Sequence, residues 1–413
     1  MNKRIYILWM CLFSAVLSVA QTGRTVTVKN DEGIDEEIEM PEGMVQNVDS
    51  LYLDWLSKTY IDWNSECKAE ESSPAVSDSV YIERLGRMPA VIEMPFNQIV
   101  REFIEQYLTT KRKNVAYMLS ANNFYMPIFE EALDLYSLPL ELKYLPAIES
   151  GLNPTATSRQ GTTGLWQFTL NTAKIYGLKV TSAVDERRDP VKSTRAAARL
   201  LKDLYDIYGD WSLVLAAYNC GAGTVNKAIR RAGGETDFWA IYNYLPAATR
   251  GYVPGFIAVN YIMNYYCEHG ISPMEMTLPE FTDTVQVSRA LSLHQVAGVC
   301  DISIEQLRAL NPEYKKDLIP GNEQPYSLRL PVEKVSTFIE LEDEVYNYKT
   351  SAYTPRRSTV SVGSDGNAQW HTVKNGETLG GIAAKYGVTV NQLRRLNGIQ
   401  GSNIRAGKSI RIR

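Results

Sequence analysis

Residues 142–168 read LKYLPAIESGLNPTATSRQGTTGLWQF, and this stretch decides the fold. It opens with an apolar run, residues 142–148, broken only by Lys143 and ending in Glu149-Ser150-Gly151, where a glycine can stop a helix. An acid at the edge of apolar surroundings loses hydration, which raises its pKa and keeps it protonated near neutral pH. From position alone an exposed helix-end glutamate is the commoner arrangement, because perturbed carboxylates are rare. A polar loop, residues 158–164, then runs into Leu165-Trp166-Gln167-Phe168.

Helical periodicity extends outward on both sides. Upstream, Phe96, Ile99, Val100, Phe103, Ile104 and Tyr107 recur at helical spacing. A second helix includes residues 115–119. A third follows Asn122, a suitable cap, with Phe124, Ile128, Phe129, Ala132, Leu133 and Tyr136 on one face. Downstream, the pattern continues through residues 169–176, 191–208, 211–218 and 255–268, after a first segment at 140–149. This predicts a compact α-helical domain of about 180 residues. Within it, Ala217-Tyr218-Asn219-Cys220-Gly221 puts Tyr and Asn at a helix end, and Tyr252-Val253-Pro254 adds a turn rimmed by an aromatic. Each segment alone is more often packing or turn chemistry. Together they offer one acid, amide hydrogen-bonders and aromatic faces, which a sugar cleft needs.

The 413 residues are 45% hydrophobic and 22% charged, a globular balance. With 43 basic against 47 acidic side chains the net charge is −4, so no nucleic-acid partner is expected. His269, His294 and His371 are far apart and no Cys pair has zinc spacing, so no metal site is expected. No Walker loop, G-x-S-x-G elbow or strand-embedded G-x-G-x-x-G is present, and no cofactor is expected. Lys3 and Arg4 precede an apolar stretch, residues 5–19, and Ser18-Val19-Ala20 supplies small residues for cleavage. Residues 1–20 therefore read as a signal peptide, and the protein as exported to the periplasm or cell envelope. Cys11 follows Leu8-Trp9-Met10 without the small residues of a lipoprotein box, so lipidation is not expected. Of the remaining Cys67, Cys220, Cys267 and Cys300, buried free thiols are expected, with room for a single bridge. Residues 21–75 hold 13 acidic and 4 basic side chains and read as a partly disordered lead-in, with Leu51, Leu53, Trp55 and Leu56 suited to one short helix.

After Pro273 the texture changes and an internal repeat appears. Residues 291–311 (LSLHQVAGVCDISIEQLRALN) recur, 86 positions later, as residues 377–397 (ETLGGIAAKYGVTVNQLRRLN). Each is preceded by a strand-like stretch (residues 284–287 and 371–374) and followed by another (327–330 and 409–412), giving a βααβ unit of about 45 residues. Residues 341–368, rich in Tyr, Ser, Thr and Gly, read as linker. Residues 370–413 carry eight basic groups and one acidic group, which suits either a solvated face or an anionic envelope polymer.

The second unit resembles a LysM module through His371-Thr372-Val373, Gly376-Glu377-Thr378-Leu379, Ile382-Ala383, Leu393, Leu396-Asn397, Ile404-Arg405-Ala406-Gly407 and Ile410. That resemblance implies binding of N-acetylglucosamine-containing glycans, with Gly376, Thr378 and Leu379 as candidate contacts. In the first unit Ala290-Leu291-Ser292-Leu293 replaces the Gly-x-Thr-Leu turn and Asn322-Glu323-Gln324-Pro325 is inserted.

The helical domain is similar to the catalytic domain of lytic murein transglycosylases, and the whole chain to their D type with C-terminal LysM modules. The family's Glu-Ser motif falls on Glu149-Ser150, its Gly-Leu-x-Gln motif on residues 164–167, its Ala-Tyr-Asn-x-Gly motif on residues 217–221 and its Tyr-Val-Pro turn on residues 252–254. The family often reads Glu-Thr-x-x-Tyr-Val at that turn. Here the first position is Ala248, so a carboxylate usual near the cleft is missing. The expected fold is multidomain and mainly α: a lysozyme-like catalytic domain (91–275) after a lead-in (21–90), then a degenerate LysM-like module (280–332), a linker (333–368) and a LysM module (369–413), both modules α+β. The resemblance implies cleavage of the MurNAc-GlcNAc β-1,4 bond by one acid, Glu149, leaving 1,6-anhydro ends. It further implies Ser150, Ser158, Gln167, Tyr218, Asn219 and Tyr252 as substrate contacts. Peptidoglycan glycan strands are the expected partner of a monomer, with peripheral envelope association. Two other readings stay open: a hydrolytic muramidase, for which Asp185, Glu186 and Asp189 offer a second carboxylate, and a non-catalytic peptidoglycan-binding protein.

Overall fold

The computed structural model describes residues 24–29, 33–45, 67, 70, 72–274, 278–279, 281–349 and 370–412, the last stretch without 375, 400, 402–403 and 406. The expected leader at 1–20 and helix around Leu51–Leu56 lie outside the described residues. The chain divides into two compact units, one ending at Tyr348 and one beginning at Lys349.

The lead-in is folded where it is described. Strands β1 (Thr25–Lys29) and β2 (Asp35–Glu39) pair antiparallel, with Val26 opposite Ile38. Strand alternation turns Val26, Val28 and Ile38 inward and Asp35, Glu37 and Glu39 outward, so the net charge of this stretch hid a largely apolar face. Helix α1 (Glu42–Val45) follows, and α2 (Asp78–Arg87) buries Tyr81 and Leu85. One bridge, Cys67–Cys267, ties this region to the end of the helical domain, while Cys220 and Cys300 are free thiols. The Arg112 guanidinium reinforces the junction by donating to Glu70 O, Ser73 Oγ, His269 O and Gly270 O.

Helix α3 (Gln98–Leu108) starts at Asn97, whose side chain accepts from Val100 N at 2.9 Å, and buries Val100, Phe103, Ile104 and Tyr107. The two short helices expected around residue 120 are one, α4 (Arg112–Leu135). Asn122 does not start a new helix, and Pro127 lies inside α4 on the exposed side. A 3₁₀ turn (Leu140–Tyr144) feeds α5 (Leu145–Ser150), which ends at Gly151 with φ 58°, the left-handed stop expected there. Then come α6 (Leu170–Ile175), capped by Thr169, and α7 (Pro190–Tyr208), capped by Asp189 with Pro190 in its first turn. Helices α8 (Trp211–Cys220), α9 (Ala222–Arg231), α10 (Phe238–Ile241), α11 (Ala247–Arg250) and α12 (Tyr252–Tyr265) complete the domain. Every residue of α12 from Tyr252 to Met263 is buried, making it the central helix; it packs on α3, α5 and α8. That packing sets the first residue of α12 against the last turn of α5.

The first repeat comprises β3 (Thr282–Val287), β4 (Ala290–Ser292), α13 (Leu293–Cys300), α14 (Ile304–Leu310), β5 (Leu318–Pro320) and β6 (Tyr326–Pro331). β3 pairs with β6, and β4 with β5, both antiparallel. Residues 333–347 of the expected linker are mainly helical rather than irregular: α15 (Val332–Glu340) and α16 (Glu342–Asn347) cover this module, burying Phe338 and Val345. Gln295 Nε2 fastens them by donating to Val345 O and Tyr346 O. The module also meets the helical domain, through Asp185 N to Glu313 O at 2.9 Å and Lys315 N to Ala183 O at 2.9 Å.

In the second unit β7 (Trp370–Thr372) and β8 (Ser409–Arg411) pair antiparallel around α17 (Leu379–Tyr386) and α18 (Val390–Asn397). The repeated asparagine performs one task in both modules. Asn311 Nδ2 donates to Leu307 O and Arg329 O, and Asn397 Nδ2 to Leu393 O and Arg411 O, so each locks its helix end to the closing strand. No described helix is long and apolar enough to cross a membrane.

Candidate functional site

The helical domain holds a cleft of about 780 Å³ between α5, the 158–169 loop, α8, α11 and the start of α12. Glu149 stands at its base on the last turn of α5, only 9% exposed, and accepts a hydrogen bond from Tyr252 Oη. Burial pushes its carboxyl from 4.5 up to about 7; the Tyr252 hydroxyl pulls the other way, and the charge of Glu42 adds to the rise. Glu149 is therefore a desolvated acid, not an exposed helix-end glutamate. A smaller hollow of about 400 Å³ beside Ile82, Met88 and Phe96 has one charged lining residue, Glu93, and no partner acid or amide.

The expected contacts divide into those that line the cleft and those that build it. Tyr218, Asn219, Tyr252, Ser158 and Gln167 all line it. Tyr218 Oη donates to Trp166 O at 2.8 Å, which stands the ring as a wall, and exposed Asn219 accepts from Thr249 Oγ1 at 2.8 Å. Gln167 is more committed than expected. With φ 47° it donates from Nε2 to Gly164 O (2.8 Å) and Ala156 O (3.3 Å), and accepts from Thr162 Oγ1 at 2.6 Å. The Thr162 hydroxyl also lies 2.7 Å from Ser158 Oγ, which accepts from the Thr162 amide as well, so the loop is braced from within. Gly164 (φ 92°) has no room for a side chain, since a Cβ would overlap Arg187 O.

Ser150 is a correction. It is fully buried, its hydroxyl donates to Leu165 O (2.9 Å) and Pro146 O (3.0 Å), and it joins the acid-bearing helix to the loop without lining the cleft. The carboxylates considered for a hydrolytic mechanism are engaged elsewhere. Asp185 pairs with Arg187 (2.8 Å), Glu186 with Lys192 (2.7 Å), and Asp189 caps α7. In the second unit Thr378 caps α17 by accepting from Gly381 N, and Leu379 is buried in the module core. These two are structural, and Gly376 remains as an exposed turn residue with φ 86°.

Sequence reasoning missed the cleft wall contributed by the N-terminal segment: Arg24, Glu39, Met40, Pro41 and Glu42 all line it. The only local signal was the alternation of residues 25–29; nothing in it pointed to a residue more than a hundred positions away.

Residues 126–240 match the Transglycosylase SLT domain, residues 281–347 the LysM-like domain of lytic transglycosylase MltD, and residues 371–413 the LysM domain. The chain is 31% identical over 323 residues to membrane-bound lytic murein transglycosylase D of Escherichia coli (strain K12), covering 77% of this chain and 70% of that protein. It is 32% identical over 170 residues to membrane-bound lytic murein transglycosylase F of Yersinia pestis (strain Pestoides F), covering 35% of this chain and 34% of that one. The crystal structure of the 70 kDa soluble lytic transglycosylase from Escherichia coli aligns with a TM-score of 0.33 at 18% identity, over 51% of this chain and 40% of that one, too loose a likeness to bear on the fold.

Proposed function

The chain belongs to the lytic murein transglycosylase D family and is a peptidoglycan lytic transglycosylase, and from that premise we propose that Glu149 alone supplies the proton transfers of its reaction. The observation that carries the proposal is the buried Glu149 carboxyl at the base of the cleft, held by Tyr252 and protonated up to about pH 7. As an acid it protonates the glycosidic oxygen leaving C1 of N-acetylmuramic acid. The resulting carboxylate takes the proton of the same sugar's C6 hydroxyl, whose oxygen bonds to C1 and closes a 1,6-anhydro ring. Glu149 is thereby returned to its acid form and no water is consumed. Because the nucleophile is tethered to the reacting sugar, proximity replaces the second carboxylate that most glycosidases need. Tyr218 and Tyr252 wall the sugar site, Asn219 offers an exposed amide to ring substituents, and Ser158 and Gln167 shape the loop above it.

Residues 1–20 direct export to the periplasm or cell envelope, where the protein acts as a monomer with peripheral association. The second LysM module tethers the enzyme to glycan and raises its local concentration. The test is release of fragments from purified sacculi by residues 21–413 and by Glu149→Gln. The variant is expected to bind sacculi normally and release nothing; substantial turnover would place the acid elsewhere.

A further inference from the structure

We infer that Glu42 is the second carboxylate of this cleft, delivered by an N-terminal strap (residues 35–45) to act by its negative charge on the sugar that Glu149 protonates. The inference rests on the transglycosylase reading above.

Position comes first. Glu42 and Glu149 line the same cleft, and α1, which carries Glu42, packs directly against α5, which carries Glu149. The approach is backbone to backbone. A Cβ on Gly43 would stand 2.6 Å from the carbonyl carbon of Ile148, the residue before the acid, so only glycine lets the two helices meet. The strap is seated at several further points. Glu39 O lies where a Cβ on Gly251 would be, the Pro41 ring fills the space above Gly255, Glu36 pairs with Arg250, and Met40 and Met44 are buried. Glu42 is thus placed by a fixed wall.

Its carboxylate is also uncommitted. Glu42 is half-buried, and among the described residues it makes no hydrogen bond or ion pair. Glu39, the other acid of the strap that lines the cleft, is exposed, whereas Asp185, Glu186 and Asp189 do not line it and are engaged in ion pairs or as a helix cap. Ala248 also lines the cleft and brings no charge. A half-buried anion without a partner, facing a sugar site, is suited to a positive charge that exists only during reaction. Breaking the bond to C1 develops such a charge on C1 and the ring oxygen, and a fixed carboxylate lowers its energy without forming a bond. Glu42 takes and gives no proton in this scheme.

Its charge bears on Glu149 too. The groups facing Glu149 are Glu42 from α1, Tyr252 from α12 and Tyr218 from α8, while Glu141 and Lys143 of the preceding 3₁₀ turn are engaged with the 91–92 backbone and Glu130. Of these, Glu42 is the one that adds to the effect of burial in holding the Glu149 proton. Removing its charge therefore moves the loss of acid form to lower pH.

The test uses the full mature chain as wild type, Glu42→Gln, Glu42→Asp and Glu149→Gln, on soluble glycan strands from about pH 5 to about pH 8.5. Glu42→Gln is expected to lower kcat about tenfold with KM nearly unchanged, and to shift the alkaline limb of the kcat profile to lower pH. Glu42→Asp, which keeps the charge, recovers most of both. Wild-type kcat and an unmoved limb in Glu42→Gln would overturn the inference, as would a loss confined to KM. Inactivity of Glu149→Gln beside an active wild type keeps the transglycosylase reading standing in either case. Water-containing reducing ends from the wild type would instead remove that reading, and the inference with it.

Discussion

Replacing Glu149 by glutamine should stabilise the protein at alkaline pH while abolishing its chemistry. The carboxyl is buried and titrates at about 7 in place of 4.5. Below 4.5 it is protonated in both the folded and unfolded chain, and burial carries no ionic penalty. Between 4.5 and 7 the unfolded chain releases the proton and the folded chain keeps it, so stability falls as pH rises. Above 7 both states are ionised, and the full difference, about 3 kcal/mol, has been lost. Glutamine has nearly the same shape, still accepts from Tyr252, and never ionises. The variant should match wild type near pH 4.5 and exceed it by up to about 3 kcal/mol at about pH 8.5, roughly 6 °C in Tm for a unit of this size. Thermal unfolding of both proteins at the two pH values reads the difference directly. A gap that does not grow with pH, or a glutamine variant less stable at alkaline pH, would refute the desolvation of Glu149.

Two further outcomes follow from the frame around the site. Reducing the Cys67–Cys267 bridge, or Cys67→Ser, should cost about 5 kcal/mol, because the bridge closes a loop with a sequence separation of 200; thermal unfolding with and without reductant checks it. Deleting residues 369–413 should weaken binding to sacculi more than it slows cleavage of soluble fragments, since tethering acts through local concentration; equal losses in pull-down and turnover assays would contradict that division.

What was legible in the sequence was local. The apolar run into Glu149-Ser150-Gly151 gave a helix with a glycine stop because both signals lie within one turn. The repeated Leu-Asn pairs at 310–311 and 396–397 identified two modules because each asparagine locks the same strand to the same helix. What was missed depends on distant partners. The acidity of residues 21–75 suggested solvation, yet Val26, Val28 and Ile38 find a surface supplied by α3 and α11. The hydroxyl of Ser150 was read as facing substrate, although the backbone of Leu165 claims it. Glu42 carried no motif at all, since its meaning comes from Gly43 fitting against Ile148.

The central claim is that one acid, Glu149, cleaves the glycan without water. Mass spectrometry of muropeptides released from purified sacculi by residues 21–413, with Glu149→Gln as control, tests it most directly. The account predicts products one water lighter than hydrolysis would give, with 1,6-anhydro ends, from the wild type alone. Reducing ends, or release by the glutamine variant, would contradict it.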